Sequence, residues 1–580
     1  MKHLLEEFPP VSTAAWEAAI ARDLKGTDYE KRLIWRSDEG LAAKPYYRAE
    51  DLKDLACMDA APGVFPYRRG ARTTGDWEIR EEIDAVNVET ANREACTAIA
   101  AGAEGIAFNS VLVEGRADLD GLLANLGEIP VHFECGDEKL VRLLTERLRA
   151  GRRAVRVSTG CDAPASVDFA AETICSAPGG FAPFTIHGET LEEAGATAAE
   201  EVGFTLAAGV DFLGAMQERR VDAGRAAAAF EFCFATGSNY FFQIAKLRAL
   251  RMVWAGAVES FGVARLEARA HIAARTSRWN KTLYDPHVNI LRATTETMAA
   301  VLGGADSVTV APFDACYKRP DAASRRLARS TQLLLKNEAW MGRVADAAGG
   351  SYYVETITDF LAREGWKIMQ GIEAHGGYRK AKESGAIAAA LERSMAAREK
   401  SVASRRRVFV GTNQFANPAE QAMSRIEAGR VSETKRGTQA YEELRLRTER
   451  HAAAGGMRPR VLLAEFGDVK LRAARSIFAA NFFACAGFET VTRRFRKAAE
   501  IAAAEGDLIV LCSADKEYAA IAAELMPRLK VLGRSTPVVV AGNPENAATL
   551  AATGVADFVH ARSNPLEVLT NWQERLGIKS

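Results

Sequence analysis

The nine cysteines of this chain (57, 96, 135, 161, 175, 233, 316, 485 and 512) contain no Cys-x-x-Cys pair. That absence excludes zinc-ribbon and thioredoxin-type sites, and leaves buried free thiols in a reducing compartment as the expected state. Net charge is also missing, because Lys+Arg and Asp+Glu both total 75. A nucleic-acid binder carries a basic excess and a basic stripe, so that class is excluded. No apolar run approaches the roughly 20 residues a membrane helix needs. The first ten residues, Met1 to Pro10, carry two acids and no apolar core, which is not the pattern of a signal peptide. There is no P-loop, no Gly-x-Gly-x-x-Gly, no His-Glu-x-x-His and no paired metal-ligand spacing. The eight histidines (3, 132, 187, 271, 287, 375, 451 and 560) are scattered. His132, His187 and His271 are expected on or at the ends of strands, satisfied in the core or with one facing a barrel mouth.

What is present is a soluble globular mixture, 48% apolar and 26% charged over 580 residues. A chain of this length exceeds one ordinary core, so two or three domains are expected. Residues 1–50 read as a helical preamble and arm. Ser12-Thr13 caps a helix from about Ala14, with Trp16, Ile20 and Leu24 on one face, and Asp28–Trp35 reads as a strand or extended arm able to wrap a partner.

Residues 51–400 alternate short apolar strands with Ala/Glu/Arg-rich helices. Strands are expected at 105–108, 131–134, 154–158, 184–187, 230–234, 268–271 and 307–310, with helices such as Leu191–Ala208 and Tyr240–Phe261 between them. About eight β–α units in series favour a closed (β/α)₈ barrel, the TIM barrel, with chemistry at the ends of its strands. Residues 401–458 are charge-rich (Arg405-Arg406-Arg407, Glu433–Arg436, Glu442–Arg450) and read as a helical linker ending at Gly455-Gly456. The arginine cluster is expected to be a solvated face or a subunit contact. Residues 459–580 repeat strand–helix units at Val461–Ala464, Leu508–Leu511, Val538–Val540 and Phe558–His560, which suggests a flavodoxin-like doubly wound sheet.

Long runs then carry a resemblance. They are Arg275-Thr-Ser-Arg-Trp279-Asn-Lys-Thr-Leu-Tyr284-Asp-Pro-His-Val-Asn289-Ile-Leu-Arg292, Glu296–Ser307, Glu193-Ala-Gly-Ala196, Ile244-Ala-Lys-Leu-Arg248, Ser330–Leu335, Pro66-Tyr-Arg-Arg-Gly70 and Trp77-Glu-Ile-Arg80. In this order, followed by the C-terminal module, they resemble the adenosylcobalamin-dependent acyl-CoA mutases of the methylmalonyl-CoA mutase family, over nearly the whole chain. The resemblance implies a cobalamin-binding-type C-terminal module.

The departures are as informative as the matches. Catalytic members carry Gly-Tyr-His before the Glu-Ala-Gly-Ala segment, the His bonding the thioester carbonyl and the Tyr covering the radical site; here Glu189 and Thr190 follow Gly188. Glu82 stands where a second catalytic Tyr follows the Trp-x-Ile-Arg run, and the CoA-lining loop between Gly70 and Trp77 is shortened. Arg275 and Ser277 match positions near the CoA tail and are the substrate-binding candidates.

The family's cobalt-binding turn, Asp-x-His-x-x-Gly, reads here Asp468-Val469-Lys470-Leu471-Arg472-Ala473. Lys470 replaces the ligand: an ammonium has no lone pair, and deprotonating it at neutral pH costs roughly 4–5 kcal/mol. Lys470 is accordingly expected to be an ordinary solvated lysine. The Ser-x-Leu and Gly-Gly that hold the nucleotide tail read Ser513-Ala514-Asp515 and Ala541-Gly542, and Phe478, Phe482 and Phe483 are bulky enough to fill the tail's space.

The family has catalytic large chains and, in many bacteria, a related small chain. The concurrent losses imply a non-catalytic chain of the small kind, with no cofactor or metal on it. Adenosylcobalamin would sit on a catalytic large partner that isomerises (R)-methylmalonyl-CoA and succinyl-CoA in the cytoplasm. Two other readings make different predictions: a self-sufficient mutase would turn over a CoA ester alone, and a CoA-ester sensor would bind one without chemistry.

Overall fold

The computed structural model describes residues 10–134, 136–150, 156–160, 166–432 and 435–579. Cys135, Cys161, His3, the start of the strand expected at 154–158, and Glu433-Thr434 lie outside the described residues.

Eight strands close a barrel: β1 (Glu78–Asp84), β2 (Gly105–Asn109), β3 (Val131–Phe133), β4 (Val157–Thr159), β5 (Phe181–Ala182 resumed as Phe184–His187), β6 (Phe230–Thr236), β7 (Ile272–Thr276) and β8 (Ser307–Thr309). Every neighbouring pair is parallel, and β8 returns to β1 with Ser307 opposite Glu78. β5 is interrupted because Pro183 has no N–H to give the ladder. Side chains bridge the gap: the Thr159 hydroxyl donates to the Pro183 carbonyl at 2.6 Å, and that of Thr185 to the Thr159 carbonyl at 2.7 Å.

Strand alternation sends Ile79, Ile83, Ile106, Phe108, Phe230, Phe232, Phe234 and Val308 outward under the helices, where all are buried. Trp254 on the helix Tyr240–Ser260 meets Phe230 and Phe232 edge-on at 5.4 and 5.0 Å. The helices Ala198–Glu218 and Tyr352–Ala374 cross at Gly203 and Gly365. A Cβ at Gly203 would lie 2.6 Å from Ile368, and one at Gly365 2.5 Å from Val202, so the crossing needs residues without side chains.

The C-terminal sheet contains β9 (Arg460–Glu465), β10 (Glu489–Arg494), β11 (Leu508–Cys512), β12 (Val538–Ala541) and β13 (Asp557–Val559). Its order is β10-β9-β11-β12-β13, all parallel, which is the flavodoxin-like doubly wound arrangement. Phe482, Phe483, Leu569 and Trp572 cover one face, and Ile501, Tyr518, Leu525 and Leu529 the other. Trp279, Phe409, Tyr441 and Leu444 join the first of these clusters, so one apolar cluster links Trp279 after β7, the connecting segment and one face of the C-terminal sheet.

Several local expectations are corrected. Asp28 caps a helix, Tyr29–Leu33, in place of the expected strand, and only Trp35–Arg36 is extended, paired with Ala42–Ala43. The expected helix 191–208 is two helices, because Thr197 and Glu200 form a reciprocal capping box that starts the second. The strand expected at 268–271 lies at Ile272–Thr276, where pairing with β6 begins at Phe232. Residues 404–432 and 435–438 are irregular save for single 3₁₀ turns, held by local bonds such as that of the Asn413 side chain to Phe409 N at 2.6 Å, and among the described residues of the expected linker only the end of the helix Ala386–Ala403 and Gln439–Ala453 are α-helical. Of the described cysteines, Cys485 and Cys512 are buried while Cys57 and Cys175 are exposed. Among the described residues no helix is long and apolar enough to cross a membrane, and no group of His, Cys, Asp or Glu is arranged to hold a metal.

Candidate functional site at the barrel mouth

Even-numbered positions of β1, β3 and β4 and odd-numbered positions of β6 and β7 turn inward, and several of them are charged or polar: Glu78, Arg80, Glu82, His132, Ser158, Glu231 and Arg275. Barrel interiors are ordinarily filled by branched apolar side chains. Glu231, fully buried on β6, sits at the centre of the lower layer. It meets Arg80 from β1 at 3.2 Å, His132 from β3 at 3.1 Å, Ser158 from β4 at 3.2 Å and His271, just before β7, at 3.4 Å. Burial alone would raise its carboxyl, but the Arg80 charge and the bonds from His132 and His271 hold it well below the usual range.

The layer above is built on Arg275 from β7, which reaches Glu134 after β3 at 2.8 Å and Glu82 on β1 at 2.5 Å. Glu82 also accepts from Asn109 at 2.8 Å. Burial pushes Glu134 up, and Arg275, His132 and Arg80 outweigh it, leaving the carboxyl at about 2. Arg275 is held well above its ordinary value, because Glu134 and Glu82 overcome its burial. These two layers span the barrel axis with paired charges.

The other barrel positions singled out in the sequence are likewise engaged within the protein. Glu189, buried on the first turn of the helix Gly188–Glu193, bonds His187 Nδ1 at 2.7 Å, while His187 Nε2 donates to the Gly160 carbonyl at 3.0 Å. Thr190 donates its hydroxyl to the His187 carbonyl at 2.8 Å. Ser277 donates to Glu192 and accepts from Trp279 N, both at 3.2 Å.

A cavity of about 650 Å³ opens beside these residues, between the ends of β2–β5 and the helices Ala198–Glu218 and Tyr378–Glu383. His187, Thr190, Glu134 and Lys382 are on its walls, with Val113, Leu140 and Leu191.

The run Arg275–Arg292 continues from β7 into a platform for the connecting segment. Glu442 accepts from Leu283 N at 2.8 Å, Glu449 from the Tyr284 hydroxyl at 2.7 Å, and Glu420 from Asp285 N at 2.9 Å. Arg445 stacks over the Tyr284 ring at 3.6 Å. Sequence reading missed Glu420, Glu442 and Glu449, whose only signal was the acid content of the linker. Of the arginine cluster, Arg406 is exposed, while Arg407 pairs with Asp38 of the N-terminal arm and lies 5.1 Å over Trp279, and Arg405 lies 6.0 Å over Phe482.

At the C-terminal sheet, Gly467 turns the chain at φ +68° and Asp468 caps the following helix, Val469–Ala484, by accepting from Leu471 N at 2.8 Å. Lys470 is exposed. Ala473 sits on the same helix, its carbonyl accepting from Ser476 at 3.1 Å. Glu517 closes the turn, accepting from Asp468 N at 3.2 Å, and the Ser513 hydroxyl lies within hydrogen-bond reach of both the Glu517 carboxylate and the Phe466 carbonyl, to one of which it donates at a time. The buried Tyr518 hydroxyl reaches the Ser513 and Ala541 carbonyls at 2.8 and 2.7 Å. A Cβ on Gly542 would lie 3.0 Å from Asp515, which pairs with Arg475 at 3.0 Å. His560, the module's one histidine, lies at the edge strand β13 and accepts from Arg562 N at 3.1 Å. The donor set at this turn does not fit a cobalt ligand: Lys470 is an exposed ammonium and the Asp468 carboxylate caps the helix.

The turn is sensitive to its glycine. A Cβ at Gly467 would lie 2.0 Å from Glu517 Oε2 in a backbone region that side chains disfavour. Gly467→Ala is expected to cost about 2 kcal/mol, read as a lowered denaturation midpoint.

The methylmalonyl-CoA mutase family model matches residues 36–115 and 165–459. The chain is 36% identical to the methylmalonyl-CoA mutase small subunit of Porphyromonas gingivalis, over 99% of both chains. It is 34% identical to the small subunit of Streptomyces virginiae, over 99% of this chain and 98% of that one. Against the large subunit of Streptomyces virginiae the identity is 29%, over 77% of this chain and 67% of the relative.

Proposed function

The chain belongs to the methylmalonyl-CoA mutase family, and from that premise we propose that it is the small, non-catalytic subunit of a two-chain mutase. Its partner is a catalytic large chain that carries adenosylcobalamin and substrate in the cytoplasm and interconverts (R)-methylmalonyl-CoA and succinyl-CoA. The small chain serves as a folded scaffold that stabilises the large one. One observation carries this reading: Arg275, the candidate for holding a CoA tail, is locked between Glu82 and Glu134 across the barrel axis. Glu82 stands in a catalytic tyrosine's position, so the replacement itself supplies the partner that withdraws the arginine from substrate. The near-complete coverage of proteins named small subunits supports the same assignment.

The test is to purify the chain alone and with its large homologue. Alone, it is expected to leave the adenosylcobalamin spectrum unchanged on titration and to show no isomerisation of methylmalonyl-CoA. Co-expressed, the two chains are expected to elute together with mutase activity. Turnover or tight cofactor binding by the single chain would overturn the proposal.

A further inference from the structure

The C-terminal sheet has an open edge that carries charge. Among the described residues β10 pairs only with β9. Glu489 N donates to the Pro459 carbonyl at 2.9 Å, and Phe495 N to the Glu465 carbonyl at 2.8 Å. Odd-numbered residues of β10 therefore turn their N–H and C=O groups to β9, and Thr490, Thr492 and Arg494 turn theirs to the open edge. The strand is exposed over Thr492, Arg493 and Arg494, and Arg496 and Lys497 just beyond it are exposed as well. Register sets Thr490, Thr492 and Arg494 on one face of the sheet and Val491 and Arg493 on the other, so each face of the edge ends in an arginine. Arg494 reaches Glu465 at 3.3 Å with its side chain 77% exposed, and Arg472 approaches the same carboxylate at 3.9 Å. Glu500, the next acid along the chain, accepts from Arg496 N at 2.9 Å and from Lys497 N at 3.4 Å.

An open edge is a template for another strand, and charged side chains decide which strand it accepts. A neutral strand would gain main-chain bonds alone, while an acidic one would also set its carboxylates beside four cations. We propose that β10 docks an extended acidic peptide segment as a further strand of the C-terminal sheet. Main-chain bonds to Thr490, Thr492 and Arg494 hold the segment, and Arg493, Arg494, Arg496 and Lys497 select its carboxylates. The surface is a property of this chain by itself and does not depend on a mutase partner.

The probe is acetyl-Glu-Glu-Val-Thr-Val-Glu-Glu-amide, which reads the same in both directions, so either strand polarity brings acids to the arginines. Titrated by calorimetry into the full-length chain, it is expected to bind saturably and to slow hydrogen exchange at the Thr490, Thr492 and Arg494 amides. Two control peptides are each expected to bind at least about tenfold more weakly: one with lysine for glutamate, and one with its three central amides N-methylated. Thr492→Pro removes an outward N–H and leaves the ladder to β9, so the fold is kept while peptide affinity falls about tenfold or more. Arg493→Glu with Arg496→Glu is expected to reverse the preference, the lysine peptide becoming the tighter ligand. No saturable binding, equal binding of the N-methylated peptide, or undiminished binding by Thr492→Pro would each overturn the proposal. Equal binding of oligothymidylate would also overturn it, by making the corner a general polyanion patch. So would a dimer of the free chain that Thr492→Pro dissociates, which would give the edge to a second copy. The charge-reversal variant decides the matter even if the proline variant fails to fold.

Discussion

Glu355→Gln is expected to cost about 3–5 kcal/mol, a large part of the stability of an ordinary domain. Glu355, on the helix Tyr352–Ala374, is fully buried and meets three arginines: Arg68 at 2.8 Å, Arg69 at 2.8 Å and Arg248 at 2.9 Å. It also accepts from Gly350 N at 2.9 Å, and Asp346 joins Arg69 and Arg248 at 3.2 and 3.0 Å. Removing the charge leaves Asp346 alone to balance three guanidiniums, two of them fully buried. That penalty arises because one partner is removed while the others stay buried. Urea unfolding should show a lower midpoint with an unchanged slope. The pH dependence follows from the carboxyl's position. Burial raises it, but Arg248, the Gly350 N–H and Arg68 bring it down from 4.5 to about 2. A lowered carboxyl stabilises the fold above its unfolded value, so this contribution is complete above about pH 4.5 and is lost as pH falls toward 2. A Glu355→Gln chain should therefore show a flatter acid limb than the unaltered protein.

Glu231→Gln is the second large effect, also expected at about 3–5 kcal/mol. Arg80 would keep only Glu78, at 3.0 Å, while His132, Arg156 and His271 would lose their shared carboxylate. A double-mutant cycle with Arg80→Met separates the lost pair from the cost of the stranded arginine. The double variant should recover only the part of the loss that comes from the stranded Arg80, since His132, Arg156 and His271 still lack the carboxylate. If Glu231→Gln alone is as stable as the parent, the charged layer contributes no net stability and the barrel tolerates its loss.

Both carboxylates explain sequence runs that the family resemblance rests on. Pro66–Gly70 and Ile244–Arg248 are among the runs that carry the resemblance, and in the fold they deliver Arg68, Arg69 and Arg248 to Glu355, far along the chain. The motif was legible and its role was not, because the partner lies 107 to 287 residues away. The same holds for Arg275–Arg292, whose platform is completed by Glu442 and Glu449.

Strand spacing, helix periodicity and the order of motifs determined the two α/β units and their succession, since hydrophobic alternation and turn residues are local properties. Local chemistry also held signals that were passed over: Thr197-x-x-Glu200 is a capping box, and Pro183 marks the break in β5. Only the tertiary structure decided that Glu82 and Glu134 close on Arg275 across the axis, and that Glu231 gathers Arg80, His132 and His271. Those outcomes depend on which inward side chains face one another in a closed barrel, a geometry fixed by ring closure and strand stagger instead of by neighbours in the chain.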